Sequence, residues 1–174
     1  EGSIIESNSR VFEGLIIQLG GQANRFLPVP DDYDLLKEKL LDATRENDII
    51  IINAGSSAGS EDYTASLIGE LGEILVHGIA TKPGKPTILG FIGEKPVIGI
   101  PGYPVSGFFV FQTFVKPLIN SFLGQKEDRI KEVEAIIAKR MVSSLQYKEF
   151  VRIKLGRVGD RLIATPLSRG AGVI

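Results

Sequence analysis

The chain has 174 residues, of which 43% are hydrophobic and 24% charged, enough for one α/β domain and part of another. It contains no cysteine and one histidine, so disulfides, thiolate nucleophiles and multi-histidine metal sites are excluded. A net charge of −1 argues against a nucleic-acid partner, because binding a phosphate backbone requires a basic face. No apolar run approaches the roughly 20 residues of a membrane helix, and no signal peptide is visible. We therefore expect a cytoplasmic protein without a membrane partner.

The first half of the chain alternates between helical and strand patterns. Its predicted elements are a helix over 11–19, a strand over 23–29, a helix beginning near 33, a strand over 49–52 and a helix over 63–71. The strand at Ile49–Ile52 is the clearest, since four β-branched residues in succession are typical of a strand buried on both faces. Alternation of this kind indicates βαβ units.

The second half continues the alternation and then changes character. Strands are predicted over 74–77, 88–92 and 97–100, followed by a helix with an apolar face formed by Phe108, Phe111, Val115, Leu118 and Phe122. The first 124 residues thus predict an α/β domain with a mostly parallel sheet and helices on both faces. Residues 125–174 predict part of a small β-rich domain, with strands over 133–137, 149–155 and 161–165.

A glycine- and serine-rich loop between the buried strand and the third helix is the strongest candidate site. The residues that carry this expectation are Gly55, Ser56, Ser57, Gly59 and Asp62. A strand, a small-residue loop and a helix start present free backbone N–H groups, which suit a phosphate. A structural turn is the alternative. The spacing matches neither a P-loop nor a dinucleotide fingerprint.

Three further segments fall where predicted strands end, and ligands of α/β sheets gather beyond those ends. Lys82 and Lys85 lie on a stretch stiffened by two prolines, which suits an anion site and a solvated turn with surface lysines equally well. Ser106 follows the Pro101–Pro104 break and either presents its N–H to a ligand or caps the helix. Glu6–Asn8 on its own is better explained by helix capping than by ligand contact.

Taken in order, the four segments resemble the molybdopterin-binding domain of the MoeA family, the molybdopterin molybdenumtransferases that include the E domain of gephyrin. The family pattern is an acid-[ST]-N opening, then G-G-x-S-x-G-x-x-D-Y, K-P-G-K-P and L-P-G-N-P-V-S. The matching segments here are Glu6-Ser7-Asn8, Ala54–Tyr63, Lys82–Pro86 and Ile100–Ser106. Glu149–Arg152 also resembles the opening of the family's C-terminal β domain.

The resemblance implies a homodimeric enzyme of molybdenum cofactor biosynthesis. Such an enzyme binds molybdopterin or adenylyl-molybdopterin, removes the nucleotide, and inserts molybdate or tungstate into the dithiolene. Asp62 would hold Mg²⁺ or act as an acid or base, while Lys82 and Lys85 would hold molybdate or the pyrophosphate. The other residues expected at the ligand are Glu6, Ser7, Asn8, Gly55, Ser56, Ser57, Gly59, Gly84, Pro101, Gly102, Pro104 and Ser106.

Two other functions remain open on the sequence. One is a carrier or sensor module that binds molybdopterin or a nucleotide without turnover, favoured by Tyr103 in place of the family's asparagine. The other is a MogA-like adenylyltransferase, which the lysine motif and the β-rich tail disfavour. The sequence departs from the family pattern in two more ways. Tyr147 stands where the family commonly has arginine, and this sequence does not include the family's first strand and T-G-D-E-L loop, which are expected just before residue 1.

Overall fold

The structure, a computed structural model, describes residues 6–54, 63–126 and 130–167. The helices are α1 (Asn8–Gln18), α2 (Tyr33–Glu46), α3 (Tyr63–Leu71), α4 (Pro104–Val110), a π-helical turn (Phe111–Val115) and α5 (Lys116–Phe122). The strands are β1 (Ile50–Ala54), β2 (Glu73–His77), β3 (Thr81–Lys82), β4 (Ile88–Ile92), β5 (Lys95–Pro101), β6 (Ile136–Ile137), β7 (Lys148–Glu149), β8 (Ile153–Val158) and β9 (Arg161–Pro166). Within these ranges, no helix combines the length and apolarity needed to cross a membrane.

The central sheet has the strand order β1-β5-β4-β2 and confirms the α/β class. Strands β1 and β5 are parallel, whereas β5–β4 and β4–β2 are antiparallel. The β4–β5 pair cannot be parallel, because only Gly93 and Glu94 separate the two strands and a connection this short forms a hairpin. The parallel arrangement expected from the sequence is therefore found at β1 and β5.

Helices cover both faces of this sheet, as the sequence predicts, and each face has its own apolar cluster. One cluster joins β1 and β5 to α2 and α3 and includes Leu40, Ile68 and Val97. The other includes Phe12, Ile98 and Phe111, from α1, β5 and the π-helical turn. Val97 and Ile98 belong to opposite clusters because successive strand residues point to opposite faces. The fully buried side chains of Ile68, Val97 and Phe111 show that both layers are closed.

Two local expectations differ from the structure. Residues 23–29, predicted as a strand, form no strand and pair with no other described segment. The apolar face predicted for the last helix is divided: Phe111 is fully buried, but Phe108 and Phe122 are 42% and 54% exposed. A π-helical turn lies between those two residues, and its wider turn shifts the faces of the helix before and after it. Pro117 lies just beyond the turn and lacks the N–H that would continue α-helical bonding.

The C-terminal strands form two small sheets that are separate from the central one. One has the order β6-β9-β8, and the other pairs β7 with β3 in parallel. Among the described residues 130–167, Ala164 is the one hydrophobic side chain that is buried. The β-rich strands thus lie close to where the sequence places them, while the domain boundary at residue 124 stays a prediction.

Candidate functional site

A hydrogen-bonded corner forms where α1 begins and where β1 and β5 end. The buried amide of Asn8 donates to Asn53 Oδ1 at 3.1 Å and to the Gly102 carbonyl at 2.8 Å. Asn53 is the next-to-last residue of β1 and pairs with Ile100 of β5. One side chain from the E-S-N motif therefore ties together the carboxyl ends of both parallel strands, where α/β folds bind their ligands.

Glu6 supports this corner as a hydrogen-bond acceptor. Its Oε1 accepts from Asn53 Nδ2 at 3.0 Å and from the backbone N–H of Ser9 at 2.8 Å, and its Oε2 accepts from the Ser9 hydroxyl at 2.5 Å. The carboxylate thus caps α1, whereas the side chain of Ser7 makes no capping bond. Burial raises the pKa of Glu6, but the Ser9 bonds and the Arg25 charge outweigh it, so the pKa lies below its ordinary value of 4.5.

The segment from β3 to β4, which carries Lys82 and Lys85 and is called the lysine loop below, lies at the same end of the sheet. Strand β4 begins at Ile88, which pairs with Gly99 near the carboxyl end of β5. Because β4 runs antiparallel to β5, the residues just before Ile88 must lie beside the end of β5. The loop that carries Lys82 and Lys85 therefore shares an edge with Asn53 and Gly102.

The lysine loop is fixed internally and against α4. Gly84 has φ +116°, and its carbonyl accepts from the N–H of Thr87 at 3.1 Å and from its hydroxyl at 2.6 Å. A Cβ on Gly84 would lie 3.0 Å from Val110 Cγ2, so only glycine allows both this backbone conformation and this approach to α4. The loop thus holds a set position relative to the helix that starts at the Gly102 corner.

The two lysines have different surroundings. Lys82 Nζ lies 4.1 Å from the centroid of the Tyr147 ring and donates to the Ser144 hydroxyl at 3.1 Å. Lys85 is exposed, and its ammonium makes no hydrogen bond or ion pair with any residue that the structure describes. None of the described residues therefore competes with an anion for the three N–H donors of Lys85.

The backbone turn at Pro101–Tyr103, which contributes Gly102 to the corner, leads directly into α4. Tyr103 occupies the N-cap position, so Ser106 lies inside the first turn, where it is buried, and is not the cap. Pro104 lacks an N–H, and the N–H of Gly107 bonds back to Tyr103. The backbone N–H groups of Val105 and Ser106 are the first-turn donors that helical bonding leaves over.

A cavity of about 1650 Å³ opens beside this corner and extends along β1, the outermost strand of the sheet among the described residues. The residues of the predicted site that line it are Glu6, Pro101 and Gly102, together with Asn53, Tyr103 and Pro86 from the neighbouring positions. Lys82, Lys85 and Ser106 do not line it. The structure therefore brings the E-S-N opening, the end of β1 and the Gly102 corner to one cavity, and it places the lysines beside it.

The glycine–serine loop lies outside the described residues, and with it Gly55, Ser56, Ser57, Gly59 and Asp62. In the part of the chain that is described, no group of three or more acidic or histidine side chains could hold a metal ion. The oxygens of Glu6 already accept three protein hydrogen bonds, which does not suit a magnesium ligand. Asp62 remains the predicted magnesium residue.

Sequence reasoning missed several residues of this site. Asn53 carried a signal, because it is a polar residue directly after four isoleucines and just before the glycine-rich loop. Arg25, whose Nη1 donates to the Ser9 hydroxyl at 3.3 Å, carried none, because it lies in an irregular segment. Ser144 and Tyr147 reach Lys82 from 62 and 65 residues away, and no local pattern indicates such a contact.

The fold defines an α/β domain whose polar corner lies beyond the carboxyl ends of β1 and β5, the place where α/β folds generally bind their ligands. Residues 1–121 match the model of a family described as a probable molybdopterin binding domain. The match covers more than half of the chain, and the chain belongs to this family.

Similar proteins extend over the whole chain. A protein of Methanocaldococcus jannaschii, provisionally assigned to molybdopterin biosynthesis, is 36% identical over 174 residues, which is 100% of this chain and 41% of the relative. A molybdopterin molybdenumtransferase of Staphylococcus aureus is 27% identical over 177 residues, covering 100% of this chain and 42% of the relative. The chain thus spans about two fifths of the length of these relatives.

Solved structures agree in fold. The crystal structure of a molybdopterin biosynthesis MoeA protein from Pyrococcus horikoshii has a TM-score of 0.79 at 36% identity, covering 98% of this chain and 40% of its own. A molybdenum cofactor biosynthesis protein from Pyrococcus furiosus has a TM-score of 0.73 at 30% identity, covering 97% and 53%. The predicted resemblance to the MoeA family is confirmed.

Proposed function

We propose that this chain is the ligand-binding part of an enzyme of molybdenum cofactor biosynthesis that inserts molybdate into the dithiolene of adenylyl-molybdopterin. The observation that supports this most is the corner in which Asn8 joins Asn53 of β1 to Gly102 after β5. Two motifs of the resemblance, 94 residues apart, meet there through one side chain. The lysine motif lies at the same end of the sheet.

The chemistry of the ligand fits these groups. Adenylyl-molybdopterin carries phosphates, and molybdate is itself an oxyanion, so a site for both requires cations and N–H donors. Lys85 supplies an exposed ammonium, and the first turn of α4 supplies the N–H groups of Val105 and Ser106. Asp62 would hold Mg²⁺ against the phosphates or act as the acid or base of nucleotide removal. Bound Mg²⁺ would neutralise charge that develops on the phosphates.

The proposal extends to the setting of the enzyme. The whole protein would act as a cytoplasmic homodimer, with molybdate or tungstate as its second substrate. The glycine–serine loop with Gly55 and Gly59 would hold the phosphate of the pterin, and Glu6 would support the corner without touching the ligand. Glu6 receives this indirect role because its oxygens are already bonded within the protein.

One observation favours a second candidate, a carrier module that binds molybdopterin without turnover. Tyr103 lines the cavity next to Gly102 and is 50% exposed. A bulky ring at this position narrows the space for a reacting group, whereas it offers a flat surface for a pterin.

The test uses the full-length protein with the substitution Asp62→Ala, and Asp160→Ala in the exposed β8–β9 turn as the matched control. We expect the first variant to lose AMP release and molybdate insertion by at least about 100-fold, the usual contribution of a positioned acid or base, and the second to match the wild type. Insertion by Asp62→Ala at the wild-type rate would contradict the role of this acid. Tight binding of adenylyl-molybdopterin by the wild type without AMP release, in isothermal titration, would favour the carrier module instead.

A further inference from the structure

The lysine loop is strapped down by a segment from the C-terminal part of the chain, residues 144–150, named here the C-terminal strap. Strands β3 and β7 pair Thr81 with Lys148 and Lys82 with Glu149. The N–H of Lys148 donates to the Ala80 carbonyl at 2.9 Å, and that of Phe150 donates to the Lys82 carbonyl at 2.8 Å. The backbone on either side of Lys82 is thus fixed by the strap.

The side chain of Lys82 is held by the same strap. Its ammonium lies over the Tyr147 ring, 4.1 Å from the centroid, which is within the range of a cation–π contact. It also donates to the Ser144 hydroxyl, which in turn donates to Glu149 Oε1 at 3.1 Å. That second bond orients the lone pairs of Ser144 towards the ammonium. An N–H group that faces neither the ring nor Ser144 remains for a further acceptor.

The strap is itself attached to the helix that begins at the Gly102 corner. Phe150 stacks on Phe109 of α4, with the ring centroids 5.1 Å apart and the planes 21° from parallel. The lysine loop meets the same helix through the close approach of Gly84 to Val110. The position of the Lys82 ammonium is therefore set relative to α4 and not only relative to its own loop.

Lys85 provides the contrast within one motif. It lies three residues further along the same loop, and its backbone carbonyl accepts from the N–H of Ile79 at 2.9 Å. Its side chain has no comparable contact among the described residues. A lysine side chain in this condition samples many rotamers, whereas a lysine held at ring and hydroxyl has lost that freedom before a ligand arrives.

We propose that Tyr147 and Ser144 are positioning residues that fix the Lys82 ammonium for the oxyanion of the site, while Lys85 contacts the ligand as an unrestrained amine. This inference rests on the proposed function, because it assigns distinct parts to the two lysines of that site. The C-terminal part of the chain then belongs to the site through its effect on Lys82, although it contributes no group to the corner itself.

The first test measures the position of Lys82 without any ligand. The full-length protein is acetylated with an amine-reactive reagent, and the labelling rates of Lys82 and Lys85 are compared by peptide mass spectrometry. Tyr147→Leu removes the ring, and Tyr147→Phe keeps it as the matched control. We expect Tyr147→Leu to raise the Lys82/Lys85 ratio roughly two- to fivefold and Tyr147→Phe to leave it unchanged. An unchanged ratio in Tyr147→Leu would overturn the proposal.

Ser144→Ala keeps the inference testable if Tyr147→Leu does not fold. We expect it to raise the same ratio by a smaller factor, because the ring contact remains. An unchanged ratio in this variant would remove Ser144 from the proposal, and it would overturn the proposal if Tyr147→Leu does not fold.

The second test measures, through the KM for molybdate, whether the Lys82 ammonium takes part in binding this substrate. In the full-length enzyme, Tyr147→Leu is expected to raise the KM for molybdate severalfold with little change in kcat, and Tyr147→Phe to restore the wild-type KM. A KM that is identical in Tyr147→Leu and the wild type would overturn the positioning role. A wild type that inserts no molybdate would instead contradict the proposed function, and the labelling ratios would still report whether Lys82 is held.

Discussion

The part of the molecule formed by residues 6–54 and 63–126 and the part formed by residues 130–167 differ in how much apolar surface each one buries. The first has two apolar layers with fully buried side chains such as Ile68 and Phe111. In the described portion of the second, Ala164 is the one buried hydrophobic residue, and the part is attached through the β3–β7 pairing and the Phe109–Phe150 stack. The corner at Asn8 therefore lies on a well-packed support, whereas Lys82 is held by a part with little buried apolar surface.

The largest expected effect comes from opening the apolar layer beneath the corner. Phe111→Ala removes a fully buried ring that stacks on Phe12 at 5.5 Å, and it should lower the free energy of unfolding by about 3–5 kcal/mol. Leu145→Ala, at an exposed position in the C-terminal part, should change it by less than about 0.5 kcal/mol. Urea unfolding of both variants measures the difference, and equal losses would mean that the two parts do not differ as the burial indicates.

A smaller effect is expected from cutting the corner itself. Asn8→Ala leaves the Gly102 carbonyl and Asn53 Oδ1 without their donor, which should cost about 1–3 kcal/mol of unfolding free energy. Asn24→Ala is the matched control, because its bond to Glu46 lies in solvent. Thermal unfolding of the two variants tests this, and a loss for Asn24→Ala as large as that for Asn8→Ala would argue against a special role of the corner.

Loosening of the C-terminal strap should be smaller still and local. Phe150→Ala removes the stack on Phe109, an interaction of about 0.5–1.5 kcal/mol beyond the area that it buries. We expect the amides of Lys148 and Phe150 to exchange with solvent roughly two- to twelvefold faster, while those of β5 stay protected. Phe122→Ala, at an exposed position, is the control, and uniform acceleration in Phe150→Ala would show that the strap unfolds only with the whole molecule.

The sequence predicted the α/β layers because their signals are local. Each signal concerns only the backbone around it: the isoleucines predict β1, the apolar run predicts β5, and small residues mark the turns between elements. The structure contains both strands. Residues 23–29 have the composition of a strand, but a strand also requires a neighbour to pair with, and composition alone does not supply one. The π-helical turn at Phe111–Val115 was missed because a single widened turn leaves no periodic signal.

The site was also predicted where the signals are local and missed where they depend on contacts between distant residues. The motifs at strand ends predicted that Glu6, Asn8 and Gly102 lie together. This prediction needs no knowledge of side-chain directions, because the carboxyl ends of parallel strands share one edge of the sheet. The sequence did not indicate that Glu6 bonds inward or that Lys82 is held by Tyr147, because both facts depend on side-chain directions and on contacts across many residues. The roles of the residues in the glycine–serine loop stay predictions.

The smallest expected effect is a pH dependence confined to the corner. Because the folded pKa of Glu6 lies below its ordinary value of 4.5, the ionised carboxylate stabilises the folded state above that pH, and this contribution is lost as the pH falls through the folded pKa. The unfolding free energies of the wild type and Glu6→Gln should therefore differ most above pH 4.5 and converge in more acidic buffer. A difference between the wild type and Glu6→Gln that stays constant from pH 6 to about pH 3 would mean that ionisation of Glu6 does not support the corner.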